Sequence, residues 1–254
     1  MSVRGFWGAR VFDVVHLADC LDGMADLPTD SVDMVLTDPP YGLTHAPWDT
    51  PLDLVRFWEH LRRIVKPKGA IVITASQPFT TTLIASNIKA FRYTWVWNKR
   101  KAGNVFVGRY RPMKIHEDVC VFSYQAHNYY PIMVPRDDVR QSRNYAKSKL
   151  WGVHDNVQRT YTHRYPTSII DASNANNHGK INPTQKPVPL FDYLIRTYTR
   201  PGQVVLDPCM GAFTTAVACV DTGRHWIGYE NDAEQYALGA ERLRRHRAAA
   251  TGTE

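Results

Sequence analysis

Two hydrophobic periods alternate along the chain. Leu54, Phe57, Trp58, Leu61, Ile64 and Val65 recur at i, i+3, i+4 and i+7, which predicts an amphipathic helix that Pro67-Lys68-Gly69 stops. The apolar run Ala70–Ala75 predicts a buried strand, and Pro78–Ile88 another helix. Residues 91–97 alternate strictly, with Phe91, Tyr93, Trp95 and Trp97 on one face and Arg92, Thr94 and Val96 on the other, as in a half-buried strand. Residues 13–38 read as strand, loop, strand: Val14, Val15 and Leu17 open the first, and Val32, Met34, Val35 and Leu36 form the buried second. Later, a helix through Leu190, Leu194 and Tyr198 ends at Arg200-Pro201-Gly202, and Val204-Val205-Leu206 is a buried strand. A helix ending at Gly223, a strand Trp226–Glu230 and a last helix opened by an Asp232/Gln235 capping box complete the pattern. Strands alternating with helices imply an α/β fold, a largely parallel sheet with helices on both faces.

Length and composition set bounds. At 254 residues and 44% hydrophobic content the chain can bury one sizeable core with an inserted lobe. No apolar run reaches the roughly 18 residues of a membrane span, and no signal-peptide core is visible near the first residue. Cys20, Cys120, Cys209 and Cys219 are scattered without metal-ligand spacing, so no metal site and a reduced, cytosolic compartment are expected.

Charge changes the picture more than size does. The net charge is +7, yet residues 92–164 hold 14 Lys/Arg against 5 Asp/Glu, leaving the rest of the chain slightly acidic. A basic segment in an acidic scaffold is the footprint of a nucleic-acid binder. Arg109, Arg111 and Lys114 stand among Phe106, Tyr110 and Met113, a mixture suited to tracking a phosphate backbone and to stacking or wedging bases. Residues 125–180 have weak periodicity and much Asn, Tyr, Arg and Ser; Arg136, Arg140, Arg143, Lys147 and Lys149 are its candidate DNA contacts.

The chemistry concentrates at residues 36–42, Leu-Thr-Asp-Pro-Pro-Tyr-Gly. Two prolines after a buried strand force the chain out of the sheet as a stiff loop, at the strand end where open α/β sheets place ligands. Asp38, Pro39, Pro40 and Tyr41 there supply a carboxylate, backbone carbonyls and an aromatic face, the parts needed to hold a planar base by its exocyclic amine. A second unit reads strand, Gly-containing turn, helix, strand, acidic residue. Glu230 follows Asp207 by 23 residues, near the spacing at which a carboxylate meets ribose hydroxyls in nucleoside-binding βαβ units.

Both units resemble the amino-directed DNA methyltransferases, which move a methyl group from S-adenosylmethionine to adenine N6 or cytosine N4. Asp-Pro-Pro-Tyr is that family's catalytic motif, and the Asp207–Thr215 turn is similar to its Asp-Pro-Phe-x-Gly-Ser-Gly-Thr-Thr. The catalytic half comes first, then the basic segment, then the cofactor half; this permuted order resembles the family's beta group, and the likeness spans roughly residues 13–245. It implies a Rossmann-like methyltransferase fold, mostly parallel, doubly wound and circularly permuted, with an inserted basic DNA-recognition segment. It also implies that Asp19, Thr184, Lys186, Asp207, Pro208, Gly211, Thr214 and Glu230 bind the cofactor, with Lys186 near its methionine carboxylate. The sequence departs from the pattern in three places: Ala18 and Phe213 replace glycines, and Asn182 stands where His opens the Asn-Pro-Thr-Gln-Lys-Pro segment. The Phe213 ring must point away from the cofactor or narrow its pocket.

The resulting expectation is a DNA adenine-N6 methyltransferase acting by base flipping. Cytosine-N4 methylation is the alternative, and an inactive DNA-binding module the alternative of another class. In domain terms, 1–124 is the catalytic half, 125–180 the target-recognition segment and 181–254 the cofactor half. Expected partners are double-stranded DNA and, because that group often dimerises, a second copy; no membrane is expected, and a restriction endonuclease partner is not determinable from the sequence. The expected setting is cytoplasmic, at the nucleoid of a prokaryotic or phage-infected cell.

Overall fold

The computed structural model describes residues 12–44, 46, 49–102, 105–141, 160–174, 180–182 and 184–251. The chain divides into two compact units, Met1–Tyr130 with Ser168–Glu254, and Pro131–Thr167.

The larger unit is built on one eight-stranded sheet. In chain order its strands are β1 (Val14–Leu17), β2 (Val32–Thr37), β3 (Val65–Ala75), β4 (Phe91–Asn98), β5 (His116–Phe122), β8 (Ile169–Asp171), β9 (Val204–Asp207) and β10 (His225–Glu230). The smaller unit holds β6 (Val134–Gln141) and β7 (Thr160–Arg164). The spatial order in the large sheet is β1-β10-β9-β2-β3-β5-β4-β8. Only β5 runs against its neighbours, β3 and β4; every other pairing is parallel. Every residue of β2 and β9 is buried, as strands covered on both faces must be.

Helices cover both faces. On one side α1 (Cys20–Gly23), α2 (Leu54–Ile64) and α3 (Phe79–Ser86) pack Phe57, Trp58, Leu61 and Leu83 against Val35, Ile71, Ile73 and Phe122. On the other, α4 (Val188–Tyr198), α5 (Thr214–Thr222) and α6 (Ala233–Thr251) pack Leu190, Leu194, Ala216 and Leu243 against Met34, Leu36, Val72 and Val205. The α2 periodicity therefore describes a buried stripe, with Asp53 capping the helix through the amides of Val55 and Arg56. No helix among the described residues is long and apolar enough to cross a membrane.

Four sequence expectations need correcting. α2 ends at Ile64, and Val65 with Pro67-Lys68-Gly69, expected to close the helix, opens β3 instead. The alternation of 91–97 breaks at a bulge between Phe91 and Tyr93. Phe91 accordingly packs on Phe122 in one core, whereas Tyr93, Trp95 and Trp97 lie in the other. The 13–38 loop holds a short helix, α1, which Asp19 caps through the Leu21 amide at 2.7 Å. Finally, the described residues of the segment 125–180 form three strands that its polar composition hides. β8 joins the main sheet beside β4, and β6 pairs with β7 as an exposed two-stranded ribbon, β6 carrying Arg136 and Arg140.

Candidate functional site

Topology decides where a ligand can sit. β2 and β9 lie side by side and parallel, with Met34 opposite Val205 and Val35 opposite Leu206. From β2 the chain goes through α2 to β3 on one side; from β9 it goes through α5 to β10 on the other. The two loops diverge across opposite faces, opening a crevice at the carboxyl ends of the strands, the switch point of a doubly wound sheet. Asp38-Pro39-Pro40-Tyr41 leaves β2 at that crevice, and Asp207-Pro208-Cys209-Met210-Gly211 continues from β9.

Asp38 is the hub of the first loop. Its Oδ1 accepts hydrogen bonds from the Tyr41 hydroxyl at 2.7 Å and from the Thr74 hydroxyl. Its Oδ2 accepts from the Lys186 ammonium at 2.6 Å. Lys186 is almost wholly buried; burial disfavours its charge, but Asp38 and Glu117 outweigh that and hold it above the ordinary lysine range. Glu117 stands 3.5 Å from the same ammonium through Oε2, and its Oε1 takes Lys99 at 3.0 Å. Burial pushes the Glu117 carboxyl up, and the two lysines reverse this to leave it below its ordinary value. The Tyr41 ring stacks on Phe79, centroids 5.1 Å apart and 19° from parallel. Burial and the Asp38 carboxylate push its phenol well up, so it stays a donor.

A second carboxylate shapes the loop from within. The buried Asp49 accepts the amides of Tyr41, Gly42, Leu43 and Thr44 at 2.7–2.8 Å, and the Thr44 hydroxyl at 2.8 Å. Burial raises its carboxyl, and these donors more than offset it, holding Asp49 below the usual carboxylate range. The loop carrying Tyr41 is thereby tied down before any ligand arrives.

Across the crevice, three neighbouring strands end together. Asp19 follows β1, Glu230 ends β10 and Asp207 ends β9. Glu230 accepts the Gly211 amide at 2.8 Å and the Asp232 amide at 2.9 Å, which fixes the turn. Gly211 has φ +49° and nothing within 4 Å of where a Cβ would stand, so its backbone faces open space. Thr184 is exposed and donates to Asn182; Thr214 is buried between the Lys186 carbonyl and Arg242. Asn182, in turn, donates to the Gln235 side chain at 3.0 Å. Gln235 therefore completes only half of the expected capping box: its amide bonds Asp232, and its side chain serves Asn182.

Phe213 resolves an open alternative. Its backbone is left-handed, φ 57° and ψ 30°, and its ring is 2% exposed, lying edge-on to Tyr236 and against Gly239. The ring belongs to the core between α5 and α6 and leaves the Gly211 turn clear.

Asp207 is buried, with Thr215 donating to Oδ2 and the Cys209 amide to Oδ1. Burial pushes its carboxyl from 3.8 up to about 7. The folded state thus favours the protonated form, and stability from this group falls as pH rises from about 4 through about 7. Asp207→Asn should flatten that fall, the gap between wild type and variant changing by up to about 4 kcal/mol between pH 4 and 8. Denaturant melts at several pH values check this; parallel curves would remove the carboxyl from the account.

The basic candidates are spread out. Arg109 and Arg111 are exposed on the β4–β5 connection beside Phe106 and Tyr110, each 88% exposed. Lys114 instead donates to Ser76 at 2.7 Å. In the smaller unit Arg136 donates to the His163 carbonyl at 3.3 Å and Arg140 to Asp138 at 2.8 Å. Arg143, Lys147 and Lys149 lie outside the described residues. Sequence reasoning missed Thr74, Phe79 and Glu117 as site residues. Of these only Glu117 carries a sequence signal, as a charged residue two positions before the apolar run Val119–Phe122.

The family model for DNA methylases matches residues 32–241. DNA adenine methyltransferase YhdJ of Escherichia coli K12 is 27% identical over 93% of this chain and 84% of its own length. Among solved structures, the M1.HpyAVI–SAM complex superposes with TM-score 0.63 at 22% identity, covering 90% of this chain and 98% of that one. PvuII DNA methyltransferase, cytosine-N4-specific, gives TM-score 0.64 at 17% identity, covering 94% and 93%.

Proposed function

The chain belongs to the DNA methylase family, and from that premise we propose that it transfers a methyl group from S-adenosylmethionine to the N6 amine of adenine in double-stranded DNA. The observation that carries the proposal is the pairing of the Asp38 loop with the Gly211 turn at one switch point.

The residues present fit the cofactor. Asp19, the Asp207–Gly211 turn and Glu230 end three adjacent strands, and the bare Gly211 backbone faces open space. Pro208, Thr184 and Thr214 flank the same crevice in this reading, Glu230 serving the ribose and Lys186 the methionine end. When bound, S-adenosylmethionine supplies a methyl group on a cationic sulfur that leaves as a neutral thioether.

The protein's part is capture and orientation of the base. A flipped adenine costs a few kcal/mol of lost stacking and pairing, offset by the Tyr41 ring, which Phe79 already backs. Asp38 and the Pro39 carbonyl accept the two amine hydrogens, drawing the nitrogen toward a tetrahedral shape and freeing its lone pair for the methyl carbon. That lone pair would receive the methyl group of the bound cofactor, whose sulfur keeps the electron pair of the broken bond, and Asp38 would take the proton the methylated amine sheds. Exposed Arg109 and Arg111, with Arg136 and Arg140 of the ribbon unit, supply cations for phosphate contacts. In this reading residues 125–180 choose the target.

Digestion of unmethylated DNA to nucleosides after incubation with protein and S-adenosylmethionine tests the reading. N6-methyladenine is expected by mass spectrometry. N4-methylcytosine keeps the architecture and replaces the base; DNA binding without any methylated base makes the protein a binding module.

A further inference from the structure

In this structure the acceptor that should receive the amine is already engaged. Lys186 holds Asp38 Oδ2 at 2.6 Å, while Tyr41 and Thr74 hold Oδ1. A charge-assisted bond from an ammonium is roughly twice as strong as one from a neutral donor, so an uncharged amine does not displace it unaided. Lys186 is nearly sealed from solvent and cannot release Asp38 into water. Among the described residues one other anion is within reach: Glu117 Oε2, at 3.5 Å, which accepts no hydrogen bond from them. Lys99 clamps the opposite oxygen of Glu117 at 3.0 Å and so holds the carboxylate in place. Moving the ammonium by less than about an ångström turns the long contact into an ordinary charge-assisted bond of about 2.8 Å.

We propose that Glu117 is a positioning residue: it takes Lys186 from Asp38 as the target amine arrives, leaving Oδ2 to accept an amine hydrogen. The inference rests on the reading of Asp38 as the amine's acceptor. Lys99 keeps Glu117 aimed, and with three donors the Lys186 ammonium would keep one for the cofactor's methionine end while it changes carboxylates.

The test is single-turnover methyl transfer to unmethylated DNA at saturating cofactor, with cofactor affinity measured separately by calorimetry. In Glu117→Gln the receiving charge is gone and Lys186 stays on Asp38; transfer is expected to slow by about 10–100-fold with cofactor affinity within about twofold. Adding Lys186→Gln removes the competing ammonium, and the double variant is expected to run at least about tenfold faster than Glu117→Gln alone. Glu117→Asp, which keeps the charge, should retain more activity than Glu117→Gln. Wild-type rates in Glu117→Gln overturn the proposal, as does a double variant no faster than the single one, which reduces Glu117 to a strut. A wild-type protein that methylates no base overturns the parent reading and this one together.

Discussion

Asp38→Ala is expected to lower the methyl-transfer rate by roughly 10³-fold while leaving S-adenosylmethionine affinity within a few-fold of wild type. In the proposed reaction the alanine removes both the group that polarises the amine and the group that takes its proton, contributions of about 10²–10³-fold and 10²–10⁴-fold that overlap in one side chain. The turn proposed for the cofactor is built from different residues, Asp207 through Gly211 with Glu230, whose side-chain bonds run within the turn and not to Asp38. The fold should survive as well, because Lys186 retains Glu117 as a counter-charge. Single-turnover rates with calorimetric cofactor binding check both halves. A variant within tenfold of wild-type rate would remove Asp38 from the chemistry.

The largest effect on stability is expected at Phe213. Truncating a ring that is 2% exposed to alanine should destabilise the fold by about 3–5 kcal/mol, since the space between α5 and α6 cannot collapse fully. The residue also sits at φ 57°, where an L side chain is strained and glycine is not. Phe213→Gly should therefore be less damaging than Phe213→Ala, by about 1 kcal/mol, although it removes one more methyl. Denaturant unfolding of the two variants decides this; the reverse order would mean that the left-handed backbone is imposed by the surrounding chain and carries no strain.

How much was legible follows from which features are local. Asp38-Pro39-Pro40-Tyr41 and the Asp207–Gly211 turn announce themselves because proline and glycine punctuate the chain wherever it must leave a strand. The two halves of the crevice were therefore readable from residues 36–42 and 204–230 alone. Glu117, Thr74 and Phe79 were not, because they reach Asp38 and Tyr41 only through the pairing of β3 with β5 and the seating of α3. Asp49 was invisible for another reason: its five donors are mostly backbone amides, which carry no residue signature. The face swap at Phe91 shows the limit of a period-two reading, since a single bulge inverts every side chain beyond it. Strands β6 and β7 escaped because an exposed ribbon needs no apolar face.

The adjacency of β2 and β9 has a consequence for the protein's birth on the ribosome. Asp33 in β2 bonds the Gln203 side chain and the Val204 amide, partners about 170 residues later. Among the described residues β1 pairs with β10 alone, and β9 is the strand that joins β10 to β2. A nascent chain therefore emerges with β1 lacking its partner β10 and with the β9 edge of β2 bare, and keeps them so until β9 and β10 have been translated. Such edges template pairing between chains. Prematurely terminated products should thus be insoluble even when the whole Asp38 half has been made, and the yield of native protein should depend on how quickly the final strands leave the exit tunnel.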